Sequence, residues 1–233
     1  MNSQGADKII VALDFATGAE ATALVRQLTP EIRFFKIGLQ LYTATGPQIV
    51  REIISGGSKV FLDLKLHDIP NTVAGAVESA SELGVDMLTI HLAGGEAMIR
   101  AAVDARRNDI SILGVTVLTS QTDETLHSIG IGDTIGNQVL RLAKLGVSCG
   151  VQGLVASPRE IKELRGAFGE KILLVTPGIR PTGSEKGDQK RVNTPREAID
   201  AGADYLVIGR PITAHAEPRE AVKKILAELE PAQ

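Results

Sequence analysis

Short runs of apolar, mostly β-branched residues recur along the whole chain, and their regular spacing constrains the fold more than any other feature. Their starts lie about 28 residues apart on average, which is room for a strand, a loop, a helix and a second loop. The eight runs are residues 8–14, 34–38, 59–66, 87–92, 111–118, 153–157, 172–179 and 205–210. Nearly continuous apolar strands are typical of parallel sheets that are covered on both faces.

Helical patterns fill the intervals between these runs. Residues 17–28 carry their apolar side chains on one helical face, and residues 70–83 begin with a proline, which suits a first helical turn. Residues 132–146 and 217–229 repeat the pattern, and the longer interval 119–152 leaves room for an extra short helix. Eight such units predict an α/β fold, a closed (β/α)8 TIM barrel, with an open doubly wound sheet as the alternative.

The composition excludes several classes of protein. Because no Gly/Ser-rich linker divides the chain, we expect one domain over residues 1–233, with no room for a fused second enzyme. A net charge of −3 and only 3% aromatic residues argue against a nucleic-acid partner. The single cysteine, Cys149, cannot form an intramolecular disulfide. We expect a cytoplasmic protein without a membrane partner, since neither a signal peptide nor a run of about 18 apolar residues is visible.

Polar side chains interrupt the apolar runs near their carboxyl ends, where the active sites of barrels lie. In residues 59–66, alternation puts Asp63 and Lys65 on one face and only apolar residues on the other. The apolar face should meet the helices, so the charged face should point into the barrel. Lys36 joins this face from the neighbouring run. Buried opposite charges are costly unless paired, so the pattern favours a functional site over a merely structural ion pair.

Other polar residues near the run ends carry weaker signals. Asp14 closes the first run, whereas Asp68 precedes a helix and could equally be a helix cap. His67 and His91 are more typical of hydrogen-bonded structural histidines. Asp14, Asp63 and Asp68 could hold Mg²⁺, but the interleaved lysines would repel a cation, and no His/Cys cluster suits zinc. We therefore expect no metal.

The last run and the loop before it suggest an anion site. Gly209 lets a ligand approach the backbone, the following helix offers free N–H groups, and Arg210 adds a fork of donors. Residues 180–193 are polar and carry a net positive charge. They are either an exposed loop or a mobile lid with phosphate-binding side chains.

Taken together, these segments resemble the orotidine 5′-monophosphate decarboxylase family over essentially the whole chain. The most specific match is DLKLHDIPNT at residues 63–72. VALD at 11–14, FKIG at 35–38, TPGIRP at 176–181 and IGRPI at 208–212 add to it.

The resemblance implies decarboxylation of orotidine 5′-monophosphate (OMP) to UMP and CO₂ by a homodimer with shared active sites, as the last step of de novo UMP synthesis. It implies a catalytic tetrad of alternating charge, Lys36, Asp63, Lys65 and Asp68, in which Lys65 protonates C6 and Asp68 reaches the partner's site. The substrate contacts that it implies are Asp14, Lys36, Ile69, Thr72, Thr119, Ser120, Pro177, Arg180, Gln189, Gly209 and Arg210. No signature for pyridoxal phosphate or thiamine is visible, so we expect no cofactor and stabilisation by fixed charges.

Two other functions compete with this one. The first is a Mg²⁺-dependent keto-sugar-phosphate decarboxylase or aldolase of the same superfamily. Such relatives carry a Glu metal ligand on the second strand, where this chain has Lys36. The second is a non-catalytic barrel that binds a phosphate ligand, against which the buried charges argue because they destabilise a fold that does not use them.

Overall fold

Eight parallel strands close into a barrel in chain order in the computed structural model, which describes residues 3–181 and 193–230. The strands are β1 (Ile9–Ala12), β2 (Phe34–Gly38), β3 (Lys59–Leu66), β4 (Met87–His91), β5 (Ser111–Val115), β6 (Gly153–Val155), β7 (Leu173–Thr176) and β8 (Tyr205–Ile208). The barrel closes where β1 pairs with β8. This order confirms the predicted (β/α)8 fold, and each of the eight apolar runs contains one strand.

Several strands are shorter than the runs that predicted them. β1, β6 and β8 each end two residues before their runs do, and β5 and β7 end three residues before. Asp14 therefore lies in the loop just beyond β1, and Arg210 is the first residue of the helix that follows β8, so neither is at a strand end. The apolar pattern continues past each strand because the first loop residues are still covered by the barrel.

Helices cover the outside of the barrel between successive strands. They are α1 (Ser3–Ala6), α2 (Gly18–Leu28), α3 (Leu39–Thr45), α4 (Gln48–Ser55), α5 (Pro70–Glu82), α6 (Gly95–Asp104), α7 (Asp123–Ser128), α8 (Ile135–Ser148), α9 (Ile161–Phe168), α10 (Pro195–Asp200), α11 (Arg210–Thr213) and α12 (Pro218–Leu229). Helix α7 is the extra short helix predicted between the fifth and sixth strands. The helix predicted at 132–146 starts later, because the Thr134 side chain caps it by accepting a hydrogen bond from the Asn137 N–H. No helix in the described part of the chain is long and apolar enough to span a membrane.

The core has two layers that follow the alternation of the strands. A large outer layer packs between strands and helices. A smaller inner layer fills the barrel itself with Ile10, Ala12, Phe34, Phe61, Met87, Leu113, Val175 and Val207. This inner plug closes the lower, amino-terminal part of the barrel, so that a cavity can form only above it.

Three pairs of residues link neighbouring strands at the amino-terminal end of the barrel, and we call them clamps. In each pair, the residue just before β4, β6 or β8 contacts the second residue of the preceding strand. Its backbone N–H donates to the carbonyl of that residue, and its side-chain oxygen accepts the N–H of the same residue. The pairs are Asp86 with Val60, Gln152 with Ile112, and Asp204 with Leu174, with side-chain oxygens 2.9, 2.8 and 2.7 Å from the backbone nitrogens. Arg165 adds an ion pair to Asp204 at 2.6 Å.

Candidate active site

The pairing of β3 with β4 is irregular at the point where the polar residues of β3 begin. Leu62 and Leu66 pair with residues that are only two positions apart on β4, so three residues of β3 face Thr89 alone. A regular ladder would have one residue there, so β3 carries two additional residues. Because the insertion is even, the alternation of faces survives, and Asp63 and Lys65 both point toward the barrel axis. Lys65 adopts the left-handed conformation, with φ of 51°.

This bulge brings the predicted charges together in an alternating row. The Lys65 Nζ donates to both carboxylate oxygens of Asp63, at 2.8 Å each. The Lys36 Nζ lies 3.7 Å from Asp63 Oδ2 and donates to Asp14 Oδ1 at 3.0 Å. The side chains of Lys36 and Asp63 are almost completely buried, so each needs an opposite charge to offset its lost hydration. We call these four side chains the charge row; in order they are Asp14, Lys36, Asp63 and Lys65.

The environment of Asp63 keeps its carboxyl group ionised. Burial raises its pKa, but the positive charges of Lys36 and Lys65 and the hydrogen bonds from Lys65 and Thr89 lower it. The net result is a pKa below the ordinary value for aspartate. The cluster therefore holds a fixed negative charge between two ammonium groups at neutral pH.

Above the inner plug lies a cavity of about 320 Å³, a size within the usual range for small-ligand pockets. Nine of the residues predicted for the site line it: Asp14, Lys36, Asp63, Lys65, Thr119, Pro177, Arg180, Gly209 and Arg210. Apolar side chains such as Phe61, Val115 and Val155 form part of its wall. The cavity thus combines an alternating charge row on the side of β1 to β3 with arginines on the side of β7 and β8.

The arginine side of the cavity is suited to an anion. Arg180 and Arg210 both line it, and burial and the neighbouring charge of Arg210 lower the pKa of Arg180. Just beyond them, Ile179 forms a bridge with Asn193, and the Arg180 N–H donates to the Asn193 carbonyl at 3.0 Å. Gln189 and most of the predicted lid, residues 182–192, lie outside the described residues.

Four of the predicted residues do not line the cavity. Asp68, Ile69 and Thr72 are exposed at the surface that follows β3, and Ile69 is 67% exposed. The Asp68 carboxylate accepts the Ile69 N–H at 2.6 Å, and no side chain caps the following helix, α5. Ser120 is exposed as well and does not line the cavity in the single chain, so its contact with the pyrimidine stays a prediction. A turn, in which the Gln121 N–H donates to the Leu118 carbonyl, leaves Thr119 in the cavity wall and Ser120 outside it.

Three features of the site were not predicted. Thr89 is completely buried and bonds to Asp63 and Lys65, but a single threonine in an apolar strand gives no signal in the sequence. Gly38 leaves room for the charge row, because a Cβ there would lie 3.0 Å from the Lys36 Nζ. The rings of His67 and His91 lie beside the row with their centres 5.6 Å apart and their planes tilted by 43°. Among the described residues, no group of three or more His, Cys, Asp or Glu side chains could hold a metal ion.

Comparison with known proteins gives a consistent result. The model of the Orotidine 5'-phosphate decarboxylase / HUMPS family matches residues 7–225. A protein named orotidine 5'-phosphate decarboxylase from Moorella thermoacetica is 51% identical over 96% of this chain and 92% of its own length. One of the same name from Opitutus terrae is 49% identical, over 95% and 97%. The crystal structure of orotidine 5'-phosphate decarboxylase from Lactobacillus acidophilus has a TM-score of 0.86 at 33% identity, covering 97% of this chain and all of that one.

Proposed function

The chain belongs to the Orotidine 5'-phosphate decarboxylase / HUMPS family, and from this membership we propose that it converts OMP to UMP and CO₂ in pyrimidine biosynthesis. The observation that carries the proposal is the charge row at the cavity wall, in which the Lys65 ammonium is held against the Asp63 carboxylate. Relatives at 46–51% identity, all named as this decarboxylase, favour it over other reactions of the family.

A nucleotide monophosphate suits both sides of the cavity. Arg180 and Arg210 would bind the 5′-phosphate, since guanidinium groups match phosphate oxygens in geometry and charge. Asp14 and Lys36 would hold the ribose hydroxyls, and Thr119 would face the pyrimidine. This orientation brings C6 of the ring and its carboxylate to Asp63 and Lys65.

The reaction breaks the bond between C6 and the carboxylate carbon, and the electron pair stays on C6 in the plane of the ring. Conjugation stabilises this carbanion little, so fixed charges must do so. The Lys65 ammonium is the cation nearest to Asp63 and would stabilise the developing carbanion. The ammonium group then donates a proton to C6 and becomes a neutral amine. Solvent reprotonates this amine after the reaction. Asp63 repels the substrate carboxylate and favours its departure as neutral CO₂, while Lys36 and Asp68 hold the other two groups in position.

A second copy of the chain would complete this site. Asp68, Ile69 and Thr72 form an exposed surface directly after the strand that carries Lys65. An isoleucine that is 67% exposed beside a cavity is typical of a surface that a partner covers. We propose a homodimer in which Asp68 reaches the partner's cavity. The proposed compartment is the cytoplasm.

The proposed activity is tested by mixing the purified protein with OMP, with and without EDTA, and following the loss of absorbance. We expect rapid conversion to UMP that EDTA does not change. Conversion only with Mg²⁺, or activity on keto-sugar phosphates instead, would favour the metal-dependent reaction. Tight binding of nucleotide without conversion would favour a binding protein.

Shared sites in the dimer are tested by mixing two inactive variants, Lys65→Ala and Asp68→Ala. If Asp68 acts across the interface, a mixed dimer has one intact site, made from Lys65 of one chain and Asp68 of the other. Random reassociation should then restore about one quarter of wild-type activity. If both residues serve the same chain's site, mixing restores nothing.

A further inference from the structure

We propose that Thr89 is a positioning residue: its hydroxyl fixes the backbone of Lys65 and one oxygen of Asp63 relative to each other, and so aims the Lys65 ammonium at the substrate. The inference rests on the proposed decarboxylation. Thr89 belongs to β4, whereas both residues that it holds belong to β3. No direct contact with the substrate is needed for this role.

The direction of the hydrogen bonds is set by chemistry. The Lys65 backbone N–H can only donate, and it lies 2.8 Å from Thr89 Oγ1. The hydroxyl therefore accepts this bond and keeps its own proton, which it donates to Asp63 Oδ1 at 3.0 Å. The ionised carboxylate accepts it. A chain of bonds thus runs from the Lys65 backbone through Thr89 to the Asp63 carboxylate, and each bond polarises the next.

The place of Thr89 in the barrel explains why this hydroxyl matters. It lies opposite the two additional residues of β3, where the ladder between β3 and β4 is interrupted. The interruption leaves the Lys65 N–H without its regular partner on β4, and Thr89 supplies one. Thr89 is fully buried, so water is not at hand to take over this bond. An unsatisfied buried N–H costs free energy, and the left-handed conformation of Lys65 adds to the need for a fixed partner.

Thr89 also acts at the moment of proton transfer. Asp63 Oδ1 accepts from both the Lys65 Nζ and the Thr89 hydroxyl. When the Lys65 ammonium moves from Asp63 to C6, Oδ1 loses the first donor and keeps the second. The carboxylate then stays oriented, and the Lys65 backbone stays at a set distance from it. A misplacement of about 1 Å at a reacting group can cost about 100-fold in rate.

The test is Thr89→Val, which keeps the shape and removes the hydroxyl, together with Thr89→Ser, which keeps the hydroxyl. Thr176→Val is the matched control. Thr176 is also fully buried near the carboxyl end of a strand, but its hydroxyl has no hydrogen-bond partner among the described residues. We expect kcat for OMP to fall about 10- to 100-fold in Thr89→Val, with KM within about twofold, because the proposed phosphate and ribose contacts are untouched. Thr89→Ser should recover most of the rate, and Thr176→Val should match the wild type.

A pH profile separates positioning from packing. Asp63 faces Lys36 from β2, Lys65 from its own strand and His91 from β4, and none of these changes in the variant. Loss of the Thr89 donor should raise the pKa of Asp63, so the acid limb of kcat/KM should move to higher pH in Thr89→Val. The same shift should be visible in the unliganded protein by ¹³C NMR of the aspartate carboxyl groups, independently of turnover.

The outcomes are distinct. Wild-type kcat in Thr89→Val, an equal loss in Thr176→Val, or failure of Thr89→Ser to recover the rate would each overturn the positioning role while the decarboxylase activity stands. An inactive wild type would overturn the proposed function itself. If Thr89→Val does not fold, as judged by circular dichroism and UMP binding, Thr89→Cys replaces it. Its thiol is a weaker donor than a hydroxyl, so kcat should fall below that of Thr89→Ser, and a wild-type kcat would overturn the positioning role.

Discussion

Asp204 at the amino-terminal end of the barrel and Asp63 at the carboxyl end are both carboxylates paired with a cation, but their partners differ in kind. Asp204 accepts a backbone N–H of β7 and the guanidinium of Arg165, which is itself bonded to the carbonyl of Gly202. Asp63 accepts from the Lys65 ammonium, at the tip of a flexible side chain that lies beside an open cavity. One carboxylate is held by groups that stay in place, the other by a group that can move.

This difference suggests that the amino-terminal end of the barrel contributes stability, whereas the carboxyl end contributes activity. The clamps at Asp86, Gln152 and Asp204 satisfy backbone groups of the second residues of three strands, and none of the three clamping residues lines the cavity. The charge row at the other end concentrates two lysines and two aspartates around a cavity. We expect such a cluster to act on a substrate rather than to stabilise the fold, because active sites of these barrels lie at the carboxyl end. Substitutions at the amino-terminal end should therefore lower the free energy of unfolding, whereas substitutions at the carboxyl end should lower kcat or raise KM.

The largest effect is expected for Lys65→Ala. Removal of the proposed proton donor and of the cation nearest to Asp63 should lower kcat by about 10⁴-fold, while UMP still binds. The matched control is Lys59→Ala, a lysine of the same strand at the opposite end, where its Nζ lies 6.0 Å from the centre of the Phe34 ring. Steady-state kinetics and UMP titration check both. Equal kcat in Lys65→Ala and wild type would remove Lys65 from the chemistry.

A smaller effect is expected for Arg210→Ala. Loss of one charge-assisted contact to the phosphate should raise KM for OMP by about 10- to 100-fold. Arg196→Ala on α10 is the control, because that arginine forms a surface ion pair with Asp200, away from the cavity. An unchanged KM in Arg210→Ala would show that the phosphate binds elsewhere.

At the amino-terminal end, Asp204→Ala should lower stability and leave kcat unchanged. The lost bonds to Leu174 and Arg165 should cost about 2 kcal/mol, allowing for partial exposure of the carboxylate, and lower Tm by about 4–8 °C. Asp86→Ala removes the same kind of clamp without an arginine and should cost about 1 kcal/mol. Thermal unfolding and kcat at 25 °C measure the two effects. A drop in kcat similar to that of Lys65→Ala would break the contrast between the two ends.

The smallest effect concerns His91, beside the charge row. Burial lowers its pKa, the charges of His67 and Lys65 lower it further, and Asp63 opposes them. Because the folded pKa lies below the unfolded value of about 6.5, the unfolded chain binds the proton first as pH falls. Stability should thus decrease as pH drops below about 6.5 and level off below the folded pKa. His91→Gln should show a smaller decrease in free energy of unfolding between pH 7.5 and 5.5, measured in urea; an identical decrease would contradict this.

Those parts of the site that depend on alternation along one strand were predictable from the sequence. Those parts that depend on how two strands pair were not. Alternation along β3 suffices to place Asp63 and Lys65 in the barrel, and Lys36 follows on β2. Thr89 lies 24 residues from Lys65 in the chain and meets it only because of the irregular register of β3 and β4. The turn closed by the Gln121 N–H and the Leu118 carbonyl places Thr119 in the cavity wall and Ser120 at the surface, and the residue types do not signal that turn.

The sequence by itself determined the eight strand–helix units and which charged residues face the interior of the sheet, whereas the pairing of β1 with β8 decided between a closed barrel and an open sheet. The units and the facing of the charges follow from apolar periodicity, which is a local property of the chain. Only the tertiary structure decided which groups meet: Thr89 with Lys65 and Asp63 at the irregular pairing of β3 and β4, and the clamping residues with their strands at the other end. Hydrogen bonds form over about 3 Å and depend on register between distant segments, so no local pattern specifies them.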